Sequence, residues 1–174
     1  MKSTVLIALL AASVLPAQSP QPRMSLRPQF PPDIVPPVLT VTGVSGKSVP
    51  LVAVTLAKLP QQTIHVTDHD TPVTFQGVRL SDVLALVDLP VGDKFHSSAA
   101  SYYLQAEAAD GYRAVFSWAE LDPGIAEKPV YLVLKRDGKE LADKEGPFEL
   151  VVPGEKRNAR WVRQLQALRI LKAH

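Results

Sequence analysis

Residues Gly146 to Arg163 read GPFELVVPGEKRNARWVR. A strand-like run, Phe148 to Val152, stops at Pro153-Gly154 and opens into four cations, Lys156, Arg157, Arg160 and Arg163. An apolar strand, a breaker and then clustered cations is the order needed by a loop that grips a polyanion. Arginine offers phosphate a planar fork of donors, and lysine a mobile point charge. The same residues also fit a solvated basic edge on a last strand, because long charged side chains usually stay in water.

Charge around this stretch is local. The 174 residues carry a formal net charge of +2, too small to imply a nucleic-acid partner. From Gly154 onward, however, six Lys or Arg (Lys156, Arg157, Arg160, Arg163, Arg169 and Lys172) face one acid, Glu155. That concentration suits a small anionic ligand rather than long-range steering of a large one. The length suits one compact domain, and 46% hydrophobic with 21% charged residues is ordinary for a globular chain.

Upstream, Lys2, the apolar run Val5 to Leu15 and then Pro16-Ala17-Gln18-Ser19 have the layout of a secretory signal peptide, residues 1–19. The apolar run is short for a membrane span, and no other run approaches one. A mature chain without a membrane span, exported to a periplasm or secreted, is therefore expected. Seven of the twenty residues from Gln18 to Pro37 are proline. Residues 20–37 thus read as an extended linker reaching at most about 60 Å, with the folded domain over residues 38–174. The chain has no cysteine, so its fold does not depend on disulfides even in an oxidising compartment.

Within that domain, short alternating runs dominate. Leu39 to Thr42, Thr63 to Thr67, Val73 to Phe75, Val130 to Leu134 and Phe148 to Val152 read as strands. Tyr102 to Ala108 and Tyr112 to Ser117 flank the turn signal Asp110-Gly111 and form a hairpin, and Asp137-Gly138 marks another turn. Leu80, Val83, Leu84 and Val87 recur at helical spacing, with Ser81 as N-cap and Pro90 as stop; Thr55 is a candidate cap for a shorter helix ending before Pro60. Ser117 and Glu120 have capping-box spacing. The expected class is α+β, a mainly β single domain with a few short helices. Tyr102, Tyr103, Tyr112, Phe116, Trp118 and Trp161 read as core or rim packing rather than a ligand cage.

Four pieces in order, Gly77-Val78-Arg79-Leu80-Ser81-Asp82-Val83-Leu84, Asp110-Gly111-Tyr112, Gly146-Pro147 with Val151-Val152-Pro153-Gly154, and Arg160-Trp161-Val162-Arg163, resemble the molybdopterin-binding domain of the sulfite oxidase family from about Leu39 to Leu171. The resemblance implies that fold, a molybdopterin cofactor whose phosphate is held by Lys156, Arg157, Arg160 and Arg163, and a redox partner protein. It also implies a cysteine thiolate on the metal, which this chain lacks. The place expected for it, after the strand Thr63 to Val66, reads Thr67-Asp68-His69-Asp70. Glu149 stands where an arginine is common in relatives. No residue is assigned a catalytic role, and the reading is of a diverged, non-catalytic oxidoreductase-like protein. Two alternatives stand beside it: an active oxidoreductase whose metal is held without a protein thiolate, through Asp68 or His69, and a cofactor-free periplasmic binding or accessory module.

His65, Asp68, His69 and Asp70 are metal-ligand types. On an extended strand, however, His65 and His69 lie about 13 Å apart, and a polar strand end followed by a solvated turn accounts for them without an ion. Sequences for a nucleophile elbow, a Walker loop, a dinucleotide fingerprint or a His-Glu-x-x-His zinc site are absent.

Overall fold

A computed structural model describes residues 37–87 and 97–173. The segments expected to form a signal peptide (residues 1–19) and, almost entirely, the proline-rich linker (residues 20–37), together with Pro90, lie outside the described residues.

The chain opens with β1 (Leu39–Thr42) and β2 (Ser48–Leu51), followed by the one-turn helix α1 (Ala53–Leu56). Next come β3 (Gln61–Asp68), β4 (Thr71–Arg79) and helix α2 (Leu80–Leu84). A short 3-10 turn, Ser97–Ser101, leads into β5 (Tyr102–Ala108), β6 (Arg113–Ser117) and helix α3 (Trp118–Leu121). The remaining strands are β7 (Tyr131–Arg136), β8 (Lys139–Glu140), β9 (Glu149–Val151) and β10 (Leu165–Lys172). They build two sheets, one in the order β2-β1-β10-β5-β6 and one in the order β3-β4-β7-β8, with β9 also on β7. Among the described residues, only the β1–β10 pairing is parallel. The expected mainly β, α+β architecture is what forms.

Alternation in the sequence becomes burial in the sheets. Leu39 and Val41 from β1, Leu104 and Ala106 from β5, Val73 and Phe75 from β4, and Leu132 and Val133 from β7 join one apolar cluster. Phe75 meets Trp161 edge-to-face at 5.8 Å between ring centroids, which ties the second sheet to the segment before β10.

Local expectations fared unevenly. Ser117 does close a capping box with Glu120. Thr55 and Ser81 are not caps: the N-caps are Val52 and Arg79, neither with a side-chain cap bond. Both helices begin where an extended residue leaves a strand, one turn or less before the residue with the capping side chain. Strand β2 escaped the sequence reading because Pro50 masks it, yet proline is tolerated on an edge strand, and β2 is one. Gly77 is fixed by space: a Cβ there would stand 2.1 Å from the Leu132 carbonyl oxygen of the neighbouring strand.

Candidate functional site

The hairpin β3–β4 closes through eight consecutive pairs from Gln61↔Val78 to Asp68↔Thr71. Its loop is only His69 and Asp70, both at positive φ (46° and 65°), the twist of a primed two-residue turn. The position expected for a thiolate-bearing loop is therefore a tight turn. Along β3 the buried or half-buried face is Gln62, Ile64, Val66 and Asp68, so the pleat carries the Asp68 carboxylate to the inward side. His65 is on the other face, where its Nδ1 lies 3.1 Å from Thr74 Oγ1. The pleat thus separates His65 from Asp68.

Asp68 is 5% exposed and well partnered. Arg136 Nη1 donates to Oδ2 at 2.9 Å and Asn158 Nδ2 donates to Oδ1 at 2.8 Å. The same Arg136 nitrogen also donates to buried Glu145 at 2.9 Å. Burial works against the Arg136 charge, but the hydrogen bond to Asp68 and the charge of Glu145 outweigh it and hold its pKa above the ordinary value. With both Asp68 oxygens engaged, this carboxylate is a structural counter-ion. Among the described residues, no group of three or more His, Cys, Asp or Glu is placed to hold a metal.

Arg163 and Glu149 complete the cluster. Arg163 Nε lies 3.4 Å from Glu149 Oε1, and its Nη2 lies 3.6 Å from Asp68 Oδ2. Neither contact has hydrogen-bond geometry, and both Glu149 oxygens are buried without a hydrogen-bond partner. Burial pushes the Glu149 carboxyl up from 4.5 to about 7, with Arg163 opposing the shift and the charges of Glu145 and Asp68 adding to it. Three carboxyls, Asp68, Glu145 and Glu149, face two guanidiniums here, and protonating Glu149 is what would balance them.

Next to this cluster a cavity of about 380 Å³ opens, lined by Arg163, Asn158, His69, Tyr112, Trp161 and Asp110 among others. Tyr112 is 46% exposed, and its hydroxyl donates to the Ala159 carbonyl; it stands on the rim of the cavity. Trp161 is buried, with Nε1 donating to the Val152 carbonyl at 3.1 Å. Asp110 accepts from the Tyr112 backbone N–H at 2.9 Å and shapes the turn.

Of the four cations expected on one anion, only Arg163 borders this cavity. Arg160 is turned into a different pairing: it donates to Glu120 at 3.1 and 3.0 Å and to Glu155 at 2.9 Å, and lies 4.8 Å over the Phe116 ring. Glu155 first and Glu120 second raise its pKa. Lys156 and Arg157 are exposed on the loop, with no carboxylate partner among the described residues. Arg169 joins Arg113 on Glu107, across β10, β5 and β6. These hydrogen bonds, that from Arg113 foremost, hold Glu107 below the usual carboxylate range. Sequence reasoning did not single out Arg136, Glu145 or Asn158, because nothing in their spacing links them to Asp68.

Whether this chain suits a molybdopterin with its metal can be judged from the donors it has. The thiolate is missing, the turn in its place is closed, and the buried carboxylate beside that turn, Asp68, is held by Arg136 and Asn158. Two more buried carboxyls, Glu145 and Glu149, face Arg136 and Arg163. These residues do not fit the thiolate-bound metal centre.

Among solved structures, the chain is similar to the sulfane dehydrogenase SoxCD from Paracoccus pantotrophus, with a TM-score of 0.57 and 20% identity over 77% of this chain and 38% of that one. That likeness is one of fold, and this chain spans well under half the length of that relative. No curated protein matches the chain. Residues 38–174 match the oxidoreductase molybdopterin binding domain, which covers every described strand and helix and takes in both the basic loop and the cavity; the chain belongs to that family.

Proposed function

We propose that this protein is an exported, diverged member of the family that has left thiolate-dependent molybdenum catalysis and serves as a binding or accessory module for a small anion. The observation that carries the reading is the two-residue turn at His69 and Asp70, in a chain with no cysteine. A metal held through a thiolate requires a sulfur ligand on a loop, and this hairpin supplies neither. The anion falls to Arg163 at the cavity, with Lys156 and Arg157 on the adjacent loop as mobile charges. Arg160 contributes by shaping that loop rather than by touching the ligand. No described helix is long and apolar enough to cross a membrane.

The test is to purify the exported protein from cells competent in molybdenum cofactor synthesis and to measure bound molybdenum and pterin fluorescence. Substoichiometric traces of both are expected. Molybdenum at one equivalent per chain would overturn the non-catalytic reading.

A further inference from the structure

Arg163 is the least constrained guanidinium of the buried cluster. Arg136 is fixed by hydrogen bonds to Asp68 and Glu145, whereas Arg163 has, among the described residues, ionic contacts at 3.4 and 3.6 Å and is 39% exposed. It also borders the cavity of about 380 Å³, beside Asn158 and His69. A fork of donors without hydrogen-bonded acceptors, partly desolvated and facing open space, is suited to an oxyanion or carboxylate. The group opposed to that role is Glu149. It is fully buried in β9, where it pairs with Val133 of β7, and its two oxygens have no donor.

We propose that Glu149 gates anion uptake at Arg163: with its carboxyl protonated, Arg163 is left to a small oxyanion in the cavity, and once ionised, Glu149 draws the guanidinium back and repels the ligand. This rests on the reading of the chain as an anion-binding module.

Geometry gives the gate its direction. Asp68, Glu145 and Glu149 face Arg136 and Arg163, and Asp137 Oδ2 adds a weak contact at 3.9 Å to Arg136 Nε. With Glu149 neutral, Asp68 and Glu145 already balance the two arginines. With Glu149 ionised, an arriving anion meets a cluster carrying a surplus negative charge in a site of low dielectric, where like charges repel strongly. Burial raising the carboxyl to about 7 brings the change into the neutral range. His69 is the neighbouring imidazole. It stands at the cavity with its Nε2 3.7 Å from Asp68 Oδ1 and is 81% exposed, so the experiment must separate the two.

Sulfate is the probe, because its charge is constant across the range. Calorimetric titration of the exported chain at pH 5.5 and 8.5 should show affinity higher at the acid pH by roughly tenfold or more, within the usual span of coupling between sites. The dependence should persist in His69→Gln, vanish in Glu149→Gln with tight binding at both values, and binding itself should disappear in Arg163→Gln. A dependence that survives Glu149→Gln or is lost in His69→Gln overturns the gate. So does sulfate that binds wild type at neither pH. A carbon-13 carboxyl titration of wild type needs no variant: a Glu149 midpoint near the ordinary value of 4.5 would overturn it as well. One equivalent of molybdenum would instead overturn the non-catalytic reading and leave a measured sulfate gate standing.

Discussion

Arg136 Nη1 donates to Asp68 Oδ2 at 2.9 Å, joining residues 68 positions apart at the ends of β7 and β3. The pair is partly buried, and each partner has another hydrogen bond, to Glu145 and from Asn158. Removing one member of such a pair leaves the other desolvated without its counter-charge. Asp68→Ala should therefore cost about 3 kcal/mol, read as a lower urea midpoint at unchanged slope. Asp68→Asn, which keeps hydrogen-bonding capacity, should cost less. A loss under about 0.5 kcal/mol for Asp68→Ala would class the pair with ordinary surface bridges.

Glu149 gives a pH dependence of known sign. Its folded pKa, about 7, is raised from 4.5. The stability it contributes is fully present below pH 4.5 and is lost as the pH rises through 7. The span corresponds to roughly 3 kcal/mol. Glu149→Gln should flatten this fall and leave the variant more stable than wild type at pH 8.5, as thermal melts at several pH values would show. Parallel curves for the two proteins would mean that Glu149 is not the titrating group.

Gly77 has no room for a methyl group. The Leu132 oxygen would lie 2.1 Å and the Val133 Cα 2.6 Å from a Cβ, both backbone atoms of β7. Gly77→Ala must force β4 and β7 apart at the bulge between Gln76 and Gly77. The expected cost is about 3 kcal/mol or more, with lost amide protection in β4 and β7. A stability near that of wild type would show that the strands yield without strain.

The basic loop divides into two kinds of cation. Arg160→Ala should destabilise by about 1–2 kcal/mol, since it removes paired hydrogen bonds and ring stacking and leaves Glu120 and Glu155 facing each other. Lys156→Ala with Arg157→Ala should stay within about 0.5 kcal/mol yet weaken sulfate binding. Equal destabilisation by both changes, in chemical denaturation, would contradict the division.

What the sequence determined by itself was what depends on neighbours along the chain. Alternating apolar residues set β3, β5 and β6, Asp110-Gly111 set the β5–β6 turn and Asp137-Gly138 the β7–β8 turn, and Ser117 with Glu120 set a cap, because pleat, turn and cap are decided within a few residues. The ordered motifs carried the family, and the empty cysteine count carried the doubt about a thiolate-bound metal. Tertiary structure alone decided which charge meets which. Arg160 and Arg163 stand three apart and looked alike, yet the first lies over Phe116 between Glu120 and Glu155, while the second faces Glu149, Asp68 and the cavity. Asp68, Arg136, Glu145 and Asn158 come together from two strand ends and two loops. No periodicity encodes such a meeting, because it is fixed by how two sheets close on a shared core and by the need of each buried charge for a partner.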